Sequence, residues 1–147
     1  MEVAGPGAME GLGARLGALM RAGDAVALFG ELGTGKTTLA RGIARGLGFA
    51  GEVSSPTFPI VQIYDGPGMR LPLWHVDLYR VGGSDELVEL GLEDARDDFV
   101  LVIEWPERLG DGIWADTLRL ELSRLDDGKR ALTAIVPPAW EGRWPPR

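Results

Sequence analysis

Cysteine is absent from the 147 residues, which excludes disulfides, thiolate nucleophiles and zinc–sulfur sites. Long apolar runs are absent too, and none approaches the ~20 residues a membrane span requires. The opening stretch MEVAGPGAME is acidic and glycine-rich, without the basic start and apolar run of a secretory signal. A cytoplasmic protein with no membrane partner is therefore expected. Positive charge is scarce: the formal net charge is −7, whereas a surface that grips a nucleic-acid backbone unaided is basic. Any nucleic-acid role is expected to run through another protein. Lysine is the scarcest cation, present only as Lys36 and Lys129 against thirteen arginines. Histidine occurs once, as His75; a single imidazole cannot build a metal site, and packing is its plain interpretation.

What remains is enough for one α/β domain over residues 1–147. In residues 8–21, Met9, Leu12, Leu16 and Leu19 recur at spacings of three and four, an amphipathic helix weakened by its glycines and stopped near Gly23. AVALF (25–29) is apolar on both sides, as a buried strand would be. Leu39, Ile43 and Leu47 line the next helix, which Gly48 ends. SSPTF (54–58) reads as loop, IVQIY (60–64) and LPLWHV (71–76) as a hairpin turning at GPG, and SDELVELG (84–91) as a short helix capped by Ser84 and stopped at Gly91. FVLVI (99–103) is a second interior strand. TLRLELS (117–123) and RALTAIV (130–136) alternate around DDGK as a late hairpin. Residues 137–147 read as an irregular tail with a frayed end, containing Trp140 and Trp144.

Between the first buried strand and its helix stands GELGTGKTT, that is Gly30-x4-Gly35-Lys36-Thr37. Glycines allow positive φ and let successive main-chain N–H groups surround a phosphate. The helix behind them aims its unpaired donors and positive dipole at the same anion. A compact ammonium fits among phosphate oxygens, a reason for lysine in an arginine-rich chain. This pattern predicts a nucleoside triphosphate, with Lys36 on its β- and γ-phosphates and the Thr37 hydroxyl on Mg²⁺. A metal-holding carboxylate is expected at a neighbouring strand end. Glu104, closing FVLVIE, and Asp77, closing the extended part of HVDLYR, are the candidates. His75 and Asp77 share one strand face. Thr57 lies where the switch loops of such proteins sit.

GELGTGKTT, SPTF, HVDLYR, ELGLED and VIEWPERL, in this order, resemble the TsaE (formerly YjeE) family over residues 8–136. These are small bacterial ATPases required for threonylcarbamoyladenosine (t6A) modification of tRNA. The resemblance implies a P-loop NTPase-like three-layer domain around a mixed central β-sheet. It implies ATP and Mg²⁺ as cofactors, with Gly33, Thr34, Gly35, Lys36, Thr37 and Thr38 on the phosphates. Thr37 and Glu104 would bind the metal. Asp77 would order water or join the metal, and Lys36, Asp77 and Thr57 would form the catalytic set. Trp105 and Arg130 would stand against the nucleotide, and adenine would meet main chain near Gly7. TsaB and TsaD would be the partners, with tRNA reached only through them. Pro59 replaces a polar residue usual after SPTF, which would stiffen the switch loop. Without the resemblance, the P-loop also admits a small-molecule kinase or a non-catalytic ATP-binding module. A kinase needs an acceptor pocket and a lid; 106–147 reads as hairpin and tail, and 65–72 is short for either.

Overall fold

The computed structural model describes residues 1–51 and 60–146; Thr57 and Pro59 lie outside them. Strand β1 (Glu2–Val3) leads into α1 (Pro6–Leu19), β2 (Ala25–Phe29) and α2 (Lys36–Gly46). Then come β3 (Val61–Tyr64), β4 (Leu73–Asp77), α3 (Ser84–Leu90), α4 (Leu92–Ala95) and β5 (Val100–Glu104). A 3₁₀ stretch (Pro106–Gly112), broken at Gly110, precedes the β6 (Leu118–Arg124) and β7 (Arg130–Ile135) hairpin. The last element is a 3₁₀ turn, Pro138–Trp140. Among the described residues the sheet has seven strands, in the order β1-β7-β6-β2-β5-β4-β3. β6, β2, β5 and β4 run parallel, and the flanking strands are antiparallel. The two continuous apolar runs, β2 and β5, take the centre, where both sheet faces are covered.

Alternation along those strands builds two cores. Val26, Leu28, Val100 and Val102 pack under α1 and α2 through Met9, Leu12, Leu16, Leu39 and Ile43. Ala25, Leu101, Ile103 and Val76 face the other way, toward Leu92 and Ala95 of α4 and Leu87 and Leu90 of α3. The result is the three-layer α/β arrangement around a mixed sheet.

The glycines of α1 are its packing surface, not a weakness. Helix α1 crosses α2 with Gly13 and Gly17 against Gly42 and Gly46, backbone on backbone. A Cβ on Gly13 would stand 2.9 Å from Gly42 Cα and Ile43 N, and one on Gly42 would run into the Glu10 carbonyl oxygen. Two backbones cannot separate without opening the core beneath them. Gly42→Ala is therefore expected to destabilise by about 1–3 kcal/mol through overpacking, read from the midpoint of a urea melt. A gain in stability, as helix propensity alone would dictate, would refute this packing role.

Three local expectations need correction. Helix α1 ends at Leu19, before the Gly23 turn. The cap position of α3 is Gly83, without a side-chain cap bond; Glu86 instead reaches back to accept from the Gly82 N–H at 2.7 Å. The tail is not frayed. Trp140 is fully buried in the α1–α2 core, and Trp144 packs against it. The Arg143 guanidinium lies 4.0 Å from the Trp140 ring centre and donates to both Asp24 oxygens at 2.6 and 3.1 Å. This ties the tail to the start of β2.

Candidate functional site

The C-terminal ends of β2, β4 and β5 open on one side of the sheet, next to the point where connections from β2 diverge. Open α/β sheets bind ligands at such a place. The glycine loop fills it. Gly30, Gly33 and Gly35 have φ of 143°, 78° and 109°, values that favour glycine and turn the loop around its own amides. Gly35 also precedes α2 with no side-chain cap, so the first N–H groups of that helix are left for an outside acceptor. The Thr34 hydroxyl donates to the Glu31 carbonyl at 2.8 Å; its side chain braces the loop from within.

A cavity of about 310 Å³ lies over this loop. Gly33, Gly35, Lys36, Thr37 and Thr38 line it from the loop and α2; Asp77, Glu104 and Trp105 close it from β4 and β5. Arg130 and Gly128 approach from the β6–β7 turn, and Gly5, Pro6 and Met9 from the N-terminal segment. Gly7 is not in the wall; its neighbours Gly5 and Pro6 are. Thr57 cannot be placed, lying outside the described residues.

Lys36 Nζ donates to the Gly30 carbonyl at 2.5 Å and sits 3.8 Å from the Trp105 ring centre. Burial lowers its pKa from the ordinary 10.5, against the opposing pull of Glu104, Glu107 and Asp77. Trp105 has φ of 57°, the one left-handed non-glycine among the described residues. Such a conformation costs on the order of 1–3 kcal/mol and turns the chain sharply out of β5. The indole thereby meets both Lys36 and Tyr79, whose ring centre is 4.9 Å away.

Register brings the two acids together. Asp77 pairs with Glu104 across the parallel β4–β5 ladder. One oxygen of each is engaged: Asp77 Oδ1 accepts the Tyr79 N–H at 3.0 Å, and Glu104 Oε2 is 2.6 Å from His75 Nε2. Burial raises the Asp77 pKa from 3.8; the Glu104 charge adds to this, while the Tyr79 N–H, His75 and Lys36 oppose it. A carboxyl that holds its proton more tightly in the fold than in the unfolded chain penalises folding when ionised. That penalty is lifted as pH falls through the folded-state value. Asp77→Asn is thus expected to raise the melting temperature at neutral pH, with the gain shrinking as pH approaches 3.8. Melts at several pH values read this directly; a pH-independent difference would contradict it.

Arg124 was not anticipated as a site residue. It pairs with Arg130 across the β6–β7 ladder and donates to the Leu32 and Gly33 carbonyls at 3.0 and 3.3 Å. Arg130 reaches the Gly33 carbonyl at 3.4 Å. The hairpin therefore clamps the apex of the glycine loop. Two arginines flanking a tight turn were the available signal, but only the β2–β6 pairing shows that the turn meets the loop.

A glycine loop between the central parallel strand and its helix, inside a three-layer mixed sheet, defines a P-loop NTPase-like protein. Comparisons narrow the class. Residues 3–132 match the family described as threonylcarbamoyl adenosine biosynthesis protein TsaE. The chain is 50% identical to the tRNA threonylcarbamoyladenosine biosynthesis protein TsaE of Streptomyces coelicolor over 79% of each chain. It is 37% identical to that of Treponema pallidum, over 82% of this chain and 88% of the relative. The crystal structure of Bacillus subtilis YdiB superposes with a TM-score of 0.81 at 28% identity, over 97% of this chain and 88% of that one. The chain belongs to the TsaE family, which serves t6A biosynthesis on tRNA.

Proposed function

We propose that this protein is a cytoplasmic, Mg²⁺-dependent ATP-binding and ATP-hydrolysing protein. On this proposal it supports t6A modification by acting on a TsaB–TsaD complex and meets tRNA only through those partners. The observation that carries the reading is the convergence on one cavity of loop amides, the Lys36 ammonium, the Thr37 hydroxyl and the paired Asp77 and Glu104.

The donor set suits Mg²⁺. Among the described residues, no three His, Cys, Asp or Glu side chains gather to cage a cation. An ion here would take Thr37 and Glu104, with phosphate and water oxygens completing the shell, as Mg²⁺ prefers. When bound, the ion offsets charge on the β- and γ-phosphate oxygens. Lys36 and the loop amides hold those oxygens in a fixed electrostatic frame. Asp77 orders the attacking water; burial strengthens its hold on a proton, which suits a group that must orient and draw on a water O–H.

Arg124 and Arg130 brace the loop apex through the Leu32 and Gly33 carbonyls, and Arg130 also lines the cavity. On this proposal turnover by the isolated protein is slow until its partners complete the site. Phosphate release by the purified chain should be slow and should rise when TsaB and TsaD are added together. Rapid release without partners, or transfer of label to a small metabolite, would overturn the assignment.

A further inference from the structure

His75 stands in the middle of β4, fully buried, opposite Val102 of β5. It shares the α1–α2 face of the sheet with Leu73, two residues before it, which packs in that core. Leucine or valine would fill such a position without polar cost. The imidazole instead brings two nitrogens into the interior. Nε2 meets Glu104 Oε2 at 2.6 Å, and Nδ1 has no partner among the described residues. The bond fixes the tautomer. A proton at Nε2 serves the carboxylate, whereas one at Nδ1 would be an orphaned buried donor, the costlier arrangement.

We infer that His75 is a positioning residue for Glu104, holding one carboxylate oxygen so that the other is presented toward the bound divalent cation. This rests on the metal role given to Glu104 above. Glutamate has three side-chain torsions, and Glu104 lies within electrostatic reach of the Lys36 ammonium. Released from His75, its carboxylate is free to turn onto that ammonium and leave the cation side. The clamp acts diagonally: Asp77 is the register partner of Glu104, and His75 lies two residues earlier on the same strand face. Both acids therefore converge on the cavity, Asp77 held by the Tyr79 main-chain N–H and Glu104 by the His75 side chain. Hydrogen-bond partners of metal ligands commonly carry this work, and their loss weakens metal affinity about 10–100-fold.

Two polar replacements of similar burial separate positioning from packing. Glutamine can place an amide N–H near the Nε2 position; asparagine is too short. Mn²⁺ is the probe, its binding to the protein–ADP complex followed by electron paramagnetic resonance, with ADP binding in EDTA measured by calorimetry. His75→Asn is expected to lose about 10–100-fold in Mn²⁺ affinity, with metal-free ADP binding unchanged. His75→Gln should stay close to wild type in both. Equal Mn²⁺ affinity in the two variants, or parallel losses of Mn²⁺ and metal-free ADP binding, would overturn the inference. Glu104→Gln distinguishes the underlying assumption. If that variant keeps full Mn²⁺ affinity, the metal role of Glu104 fails; if it loses affinity while His75→Asn does not, only the positioning role fails.

Discussion

Replacing Lys36 by Met is expected to lower ATP turnover about 100- to 1,000-fold while leaving the protein folded. Removing one preorganised donor from a developing anion costs about that much, and here the donor is also the cation of the loop. Folding should barely notice. Lys36 is almost wholly buried, and burial is the largest influence on its charge. Losing it relieves a desolvation cost while giving up the bond to the Gly30 carbonyl and the contact with Trp105. A hydrogen bond from a charged group is worth about 1.5–3 kcal/mol net, and the relieved desolvation offsets it, so the opposing effects should leave stability within about 2 kcal/mol of wild type. A phosphate-release assay beside a urea melt reads both halves. Loss of turnover matched by loss of fold would make Lys36 a structural residue; retained turnover would remove it from the chemistry.

The largest effect on stability is expected far from the cavity. Trp140→Ala should destabilise by about 3–5 kcal/mol, the range for removing a buried aromatic. Nothing can collapse easily into the space, because the indole sits between the first helix pair and an arginine bound to Asp24. Its Nε1 has no partner among the described residues, so Trp140→Phe should recover most of the loss. The interaction is therefore one of packing and not of hydrogen bonding. Denaturant midpoints for the two variants decide it. A small shift for Trp140→Ala would mean that the tail is dispensable to the core. The family match ends at residue 132, so this docking tests a part of the chain that the match does not cover.

These two residues illustrate what the sequence could and could not tell. The place of Lys36 in the cavity wall was legible because it is set by neighbours in the chain: three glycines, a threonine, an apolar strand before and a helix after. The β5 run ending in Glu104 was legible for the same local reason. Trp140 was not, because its burial depends on the start of β2 and on α1, more than a hundred residues earlier. The glycines of α1, Gly13 among them, looked unfavourable in a helix, since propensity knows nothing of the second backbone lying against them. His75 and Glu104 are 29 residues apart, and their bond exists only in the β4–β5 register. Sequence placed His75 and Asp77 on one strand face correctly, yet could not say which neighbouring strand that face would meet. Arg124 was hidden by the same limit.

Capture of a nucleotide by the glycine loop is the claim on which the functional account stands. Titration calorimetry of the intact protein with Mg²⁺ and ATP, repeated on Lys36→Ala, tests it most directly. The account predicts saturable heat of association for the wild-type chain, and weak or undetectable association for the variant. No heat for the wild type, or equal association for both proteins, would contradict it.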